Sequence, residues 1–339
     1  MRRHMSALPG ARAELAEVTA SAIPDAEALN DLTTLALALS AKSLLIVQEG
    51  RLMEEFELLN RALSLAKLGD DPYEARQLRM MIANRLFSLP ISVSDAIGRT
   101  QRMLDEAADD QELKADLFIT LAMLAAMDQR LDDARRLLAD ARAICEDIGI
   151  ILPTLAADWA QASMSIEIVF GDPARAEEVG REFVPVLEEA NDQWHLAGVA
   201  SMLAEALVKQ PGRLTGERAI EAEHLLSLGR SATHESDSMN LGSLRVLEAL
   251  LASSRGHHDE AVALAREAAG LVNDSEVPDV EAAIHLDVAR VLWRGGHIPE
   301  AVGAAHAARI AASRKGSRAL VASADQLLLE IGAGDASRG

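Results

Sequence analysis

The residues that could carry catalysis or bind a metal are few, and their spacing suits neither chemistry. His234-Glu235 resembles the start of an H-E-x-x-H zinc helix, but no second histidine follows at the required position. His257 and His258 are adjacent in a predicted turn, without cysteine or carboxylate partners at ligand spacing. We therefore predict a solvent-exposed pair of histidines there and no metal site.

The acidic and nucleophilic side chains are arranged no better for chemistry. Glu221, Glu223 and His224 are close in sequence, but offsets of two and three residues do not share one helix face. Cys145 is the only cysteine, and its apolar helical surroundings predict a buried, inert thiol. Neither G-x-S-x-G nor G-x-x-x-x-G-K-[ST] occurs. We therefore expect a protein that is not an enzyme, with no catalytic residues, cofactor or metal.

Charge and composition limit the partners that the chain could bind. The net charge is −20, and no run of Lys and Arg is longer than two residues, which disfavours nucleic acid. No apolar stretch is long enough to span a membrane, and the N-terminus lacks the apolar region of a secretory signal. A single cysteine fits a reducing compartment, so we expect a cytoplasmic protein.

The elements that position these residues follow from a recurring spacing of small residues and glycine at offsets of 7, 5 and 7. A glycine can end one helix, and the small residues let two helices approach closely. Two sets keep the whole pattern and two others keep part of it. They are Ala249, Gly256, Ala261 and Ala268; Ala289, Gly296, Ala301 and Ala308; Ala122, Gln129, Ala134 and Ala141; and Ser43, Gly50, Glu55 and Ala62.

The period of this pattern predicts a stacked-repeat architecture. The residue that follows each turn recurs about every 40 residues from Phe56 to Ala301, and a fixed period in this range is typical of solenoids. We expect an all-α solenoid of about seven helical hairpins, of which the second is the least regular. Residues 12–331 are predicted to form it as a single unit, with residues 1–11 and 332–339 disordered.

The 7-5-7 pattern resembles the tetratricopeptide (TPR) repeat, with a longer period and mostly without its closing proline. The stretch from Asp259 to Gly316 resembles the C-terminal repeat region of bacterial ATPase-linked adenylyl cyclases and large ATP-dependent LuxR-type regulators. The phosphate loop, cyclase domain and DNA-binding helices of those regulators are not in this sequence. The resemblance therefore implies a right-handed solenoid that serves as a sensory or scaffolding arm.

The resemblance also implies which residues line the concave face, and we call these ten residues the inner strip. The strip is apolar and rich in methionine, which favours a groove for an amphipathic helix or peptide. Two alternatives remain open: the strip is core between helices, or it is covered by self-association or by the chain's own end. The inner strip consists of Ile119, Met123, Met127, Ile168, Met202, Val246, Leu250, Leu286, Arg290 and Trp293.

These observations favour a non-catalytic module that binds a protein or peptide, as the regulatory arm of a bacterial signalling or transcriptional regulator. A small-molecule sensor is the alternative, and it needs a closed pocket with convergent polar groups. For such a pocket the sequence offers Arg245, His285, Arg290 and Trp293. An enzyme of unfamiliar type is a third possibility.

Overall fold

The computed structural model describes residues 10–47, 49–107, 109–148, 153–210, 214, 216–233, 237–273 and 275–336. Over these residues the chain forms sixteen helices and no strand, which confirms the all-helical prediction. The helices are α1 (Ala11–Leu29), α2 (Leu32–Val47), α3 (Leu52–Leu68), α4 (Pro72–Leu86), α5 (Val93–Glu106), α6 (Gln111–Met127), α7 (Leu131–Asp147), α8 (Pro153–Phe170), α9 (Pro173–Glu189), α10 (Gln193–Lys209), α11 (Gly216–Ala232), α12 (Ser238–Ser254), α13 (His258–Val272), α14 (Pro278–Arg294), α15 (Ile298–Lys315) and α16 (Arg318–Ala336).

Aspartate side chains cap the N-termini of several of these helices. Asp110 accepts a hydrogen bond from the backbone N–H of Leu113 at the start of α6, and Asp192 and Asp237 cap α10 and α12 in the same way. A side-chain oxygen at this position satisfies one of the backbone donors that the first turn of a helix leaves unpaired.

The turns that the glycine spacing predicts have a left-handed backbone. Gly256 and Gly296 both have φ of 82°, which glycine adopts at little cost because it has no Cβ. Gln129 replaces glycine in the α6–α7 turn and has φ of 63°. The same turn geometry therefore recurs even where the glycine is absent.

Neighbouring helices pack in a repeated arrangement, as predicted. Each helix contacts the next along the chain, and each even-numbered helix from α2 to α14 also contacts the next even-numbered helix. The even-numbered helices thus form one continuous row, which we call the inner row. Ala289, Ala301 and Ala308 are fully buried in the core that α14 and α15 share, where small side chains allow close approach.

The pair α4 and α5 departs from this arrangement. Six residues, 87–92, separate the two helices, and α4 and α5 touch much less than α14 and α15 do. Counted from Ala96, the other three positions of the 7-5-7 pattern hold Asn84, Ile91 and Met103, which are all larger than alanine or glycine. The second unit therefore departs from the regular hairpins both in its pattern residues and in the packing of its two helices.

The ends of the helical array differ slightly from the predicted limits. α1 begins at Ala11, and α16 continues to Ala336. Residues 1–9 and 337–339 lie outside the described residues, so the prediction of disorder is not tested for them.

The inner row curls back on itself, so that the end of α15 and the start of α16 meet the region of α4 to α6. Lys315 Nζ donates a hydrogen bond to the Leu89 carbonyl at 2.6 Å, and Ser317 Oγ donates one to the Met127 carbonyl at 3.2 Å. α16 also contacts α6 directly. We call this junction the closing contact.

Two further interactions extend the closing contact along the chain. The Met53 N–H donates a hydrogen bond to Glu276 Oε2 at 3.0 Å. Val277 is buried in one apolar cluster with Leu52, Leu86 and Leu89, which lie near the start of α3 and the end of α4. Residues more than 180 positions apart therefore share one core.

Candidate functional site

Most of the inner strip is covered by the chain itself. Met202, Arg290 and Trp293 are half-buried, whereas the other seven residues are at most 7% exposed. These seven are Ile119, Met123, Met127, Ile168, Val246, Leu250 and Leu286. At these seven positions the expected open groove is not formed in this structure.

The strip is buried by the helices packed around it, as its three residues on α6 show. α6 is buried over most of its surface, because α4, α5, α7 and α8 surround it and α16 covers part of what remains. Met127 packs with Val93 and Ala96 of α5, and Phe170 at the end of α8 contacts three separate core clusters. The apolar character of the strip is therefore explained by packing within the chain, one of the alternatives left open above.

A chain of ion pairs crosses the inner row, with Asp287 buried and Glu205, Lys209 and Arg290 half-buried. Lys209 Nζ lies 2.7 Å from Glu205 on its own helix and 2.7 Å from Asp287 on α14. Asp287 in turn binds Arg290 at 2.7 Å. Burial alone would lower the pKa of Lys209, but the charges of Asp287 and Glu205 outweigh it and hold this pKa above its ordinary value. The cluster therefore stays charged and joins α10 to α14.

The four residues that the sequence offered for a ligand pocket do not bring unpaired polar groups together at one site. Arg245 binds Glu248 at 2.7 Å and Glu267 at 3.1 Å, and Arg290 is held by Asp287. His285 is buried, neither ring nitrogen forms a hydrogen bond, and burial lowers its pKa, which favours the neutral ring. Trp293 lies against Gly334 near the end of α16.

The remaining candidates for chemistry have ordinary surroundings. Cys145 is half-buried, and burial followed by the charge of Asp116 raises its pKa, which disfavours a reactive thiolate. His257 and His258 are exposed. The residues of His234-Glu235 lie outside the described part of the chain. No group of three or more His, Cys, Asp or Glu among the described residues is arranged to hold a metal ion.

Ion pairs between successive odd-numbered helices use the repeat period itself. Arg142 binds Glu182 at 2.9 Å and Arg181 binds Glu221 at 2.8 Å, and each pair spans 40 residues. Sequence reasoning assigned Glu221 to a solvated surface and did not identify its partner. An arginine and a glutamate separated by one repeat was the available signal.

Glu177 is the centre of the largest of these ion-pair groups. It accepts hydrogen bonds from Arg218, Gln210 and Arg181 at 2.7–3.0 Å. The hydrogen bonds from Arg218 are the main cause that lowers the pKa of Glu177, to about 2, against a smaller effect of burial. These carboxylates are held as ion-pair partners and are not poised to take up a proton near neutral pH.

Two charged groups are buried beside the closing contact. Burial raises the pKa of Asp279 to about 6, although the charge of Lys315 opposes the shift. Asp279 Oδ1 has no hydrogen-bond partner, and Lys315 is fully buried. No sequence signal pointed to these residues, because their role depends on contacts with the distant α4–α5 segment.

A cavity of about 140 Å³ lies where α3, α4, α5 and α6 meet. Four aliphatic side chains and four polar side chains line it. The aliphatic ones are Leu63, Ile82, Met103 and Leu113, and the polar ones are Asn60, Lys67, Arg79 and Glu106. Among the described residues, neither Lys67 nor Arg79 forms an ion pair. Sequence reasoning did not identify this cavity.

Comparison with known proteins adds no assignment to this geometry. The chain matches no protein-family model and no curated protein. Over the described residues, none of the helices combines the length and apolar character needed to cross a bilayer.

Proposed function

We propose that the chain is a non-catalytic interaction module, a TPR-like solenoid of about seven helical hairpins. In this proposal it is the regulatory arm of a bacterial signalling or transcriptional regulator and works in the cytoplasm. Its partner is a protein or a peptide that binds the inner row as a helix or extended segment, without nucleic acid, membrane or cofactor.

The observation that carries this proposal is the identity of the strip residues that remain accessible. Met202, Arg290 and Trp293 are half-buried on the inner row, while the rest of the strip is covered. Methionine, arginine and tryptophan are enriched at protein interfaces, and tryptophan and arginine are frequent hot spots. The proposed binding surface is therefore limited to these three residues and to Glu205 and Lys209, which Asp287 supports from its buried position.

Site-specific cross-linking tests this surface. A photoreactive phenylalanine analogue is placed at Met202 in the full chain, and cross-links are collected in a lysate of the source cells. The matched control carries the same analogue at Ile220, which is 66% exposed on α11. We expect one discrete protein cross-linked from position 202, lost in the Arg290→Gln variant and absent from position 220. Identical products from both positions would contradict the proposal.

Leu250→Glu is a separate control for folding. Leu250 is 5% exposed in the C-terminal core, so a glutamate there is expected to lower the melting temperature sharply. Loss of partner binding together with a lower melting temperature in this variant would show a damaged core and would say nothing about the binding surface. Intact stability with lost binding would show that the covered strip becomes accessible, and would widen the proposed surface.

A small-molecule sensor is the second candidate, and the cavity between α3 and α6 favours it. The four residues first considered for a pocket do not line this cavity. A sensor at the cavity would place the ligand in the irregular part of the array, away from Arg290 and Trp293. The two functions can therefore be tested separately.

A further inference from the structure

The cavity between α3 and α6 has an asymmetric lining. Ile82 and Leu113 are buried and Leu63 and Met103 are half-buried, and together they form an apolar wall. Lys67, Asn60 and Glu106 are exposed, and Arg79 is half-buried, so polar groups lie toward the solvent. A ligand that fits this lining has an apolar body and a polar head.

The charges at the cavity select the sign of that head. Among the lining residues, Lys67 and Arg79 supply two positive charges against the carboxylate of Glu106. Arg79 also acts on nearby Asp110, whose main partner is Arg76. In a chain of net charge −20, most of the described arginines are paired with carboxylates of neighbouring helices, as Arg76 is with Asp110 at 2.8 Å. The repulsion of an anion by distant acidic residues is screened within about 8 Å at physiological salt. The local excess of positive charge therefore favours an anion.

The size of the cavity limits the apolar body. A cavity of roughly 150 Å³ with an aliphatic lining holds a benzene ring. The volume of this cavity, about 140 Å³, is close to this value. A six-membered ring or an aliphatic chain of similar volume would fill the space between Leu63, Ile82 and Met103.

The cavity lies beside an irregular position of the repeat pattern. Met103 stands where the regular units have alanine, and it packs against three different core clusters as well as lining the cavity. One of those clusters contains Leu89 and Val277 of the closing contact. A ligand beside Met103 would therefore contact a side chain that supports the junction of the two ends of the array.

We infer that this cavity is a binding site for a small organic anion, a carboxylate with a compact apolar body, whose head lies between Lys67 and Arg79. The inference rests on the second candidate function and specifies its ligand class. It does not depend on the surface around Met202.

Three probes of the same shape and different charge test the inference. Benzoate, benzamide and benzamidine are titrated into the full chain at pH 7.5, with binding followed by protein NMR and calorimetry. A ligand of this size is expected to bind with a Kd of about 0.1–1 mM. We expect benzoate to bind at least about tenfold more tightly than benzamide, and benzamidine not to bind.

Variants decide whether the binding occurs in this cavity. The double variant Lys67→Gln and Arg79→Gln is expected to weaken benzoate binding about tenfold or more. The matched control is Arg99→Gln, an exposed arginine of α5 that does not line the cavity, and it should leave the affinity unchanged. Leu63→Phe fills the cavity while keeping an apolar wall, so it should abolish binding in a folded protein.

Three outcomes would overturn the inference. They are equal affinity for the three probes, no binding of benzoate up to 10-fold above the expected Kd, and benzoate binding that survives both Leu63→Phe and the double substitution. Each of these results removes the anion site, whereas cross-linking from position 202 would still support the interaction module. A loss of both would reject the two proposals independently.

Discussion

The hairpin of α14 and α15 and the pair of α4 and α5 occupy equivalent places in the array and are built differently. In the first, a three-residue turn with Gly296 at φ of 82° brings together buried alanines at positions 289, 301 and 308. In the second, the pattern positions hold Asn84, Ile91 and Met103, and a cavity of about 140 Å³ opens beside Met103. The first pair thus combines small pattern residues with close packing, whereas the second combines larger ones with loose packing.

The same comparison shows how the irregular region is stabilised. Because α4 and α5 pack loosely on each other, their connecting segment relies on a distant partner. Leu89 in that segment is fully buried and accepts the hydrogen bond from Lys315. The regular hairpin is held by its own two helices, whereas the irregular one is held by the end of the array.

The largest expected effect comes from breaking this distant support. Leu89→Ala removes a fully buried side chain from the cluster with Leu86 and Val277 and should lower the free energy of unfolding by about 2–5 kcal/mol. The rate of amide hydrogen exchange should rise at residues 87–92 and also at residues 313–320. Leu68→Ala, at a side chain that is 75% exposed, is the control. Faster exchange at residues 87–92 alone would show that the closing contact is not a shared core.

The regular hairpin should be sensitive to added volume. Ala289→Leu places three more carbons in a fully buried position of the C-terminal core, and overpacking of this kind costs about 1–3 kcal/mol. Urea unfolding followed by circular dichroism measures the change. Ala139→Leu makes the same substitution at an exposed position of α7 and should be nearly neutral. Equal stability of the two variants would contradict the tight packing described for α14 and α15.

The junction of the two regions should respond to pH through Asp279. Its pKa is about 6 in the folded chain, against an ordinary value of 3.8, so between these values the folded state holds a proton that the unfolded state releases. The stability that this carboxyl contributes is therefore lost as pH rises from about 4 to 6.

Asp279→Asn should remove this dependence. We expect the variant to be more stable than the wild type at pH 7.5, by on the order of 1–3 kcal/mol, and nearly equal to it at pH 4. Thermal unfolding across pH 4–8 measures the difference. A constant difference between variant and wild type over the whole range would assign the effect to something other than the carboxyl charge.

The smallest expected effect has the opposite sign to that of Ala289→Leu. Leu63→Phe adds volume beside the cavity, so it should raise the free energy of unfolding by up to about 1 kcal/mol. The same measurement in urea compares it with Ala289→Leu directly. If both variants lose stability to the same extent, the contrast between the loose and the tight helix pair is refuted.

The helical array was predictable from the sequence, because the pattern of Ala249, Gly256, Ala261 and Ala268 acts locally, through one turn and two adjacent helices. The coverage of Met123 and Leu250 was not predictable, since a helix pattern shows that a face is apolar but not which part of the chain covers it. The site residues stay a prediction at Met202, Arg290 and Trp293. The closing contact was not predictable from the repeat pattern, because Lys315 and Leu89 are 226 residues apart and neither occupies a pattern position.

The hydrogen bond between Lys315 and Leu89 has a consequence for how the chain folds and unfolds. In an open array each unit touches only its neighbours, so unfolding can begin at either end and spread. Here the turn between α15 and α16 is hydrogen-bonded to the segment between α4 and α5. The last helices therefore cannot unfold without disrupting a core that residues of the first half also form. Cooperativity therefore extends across the array, and a contact of such long range in sequence is expected to form late and to slow folding.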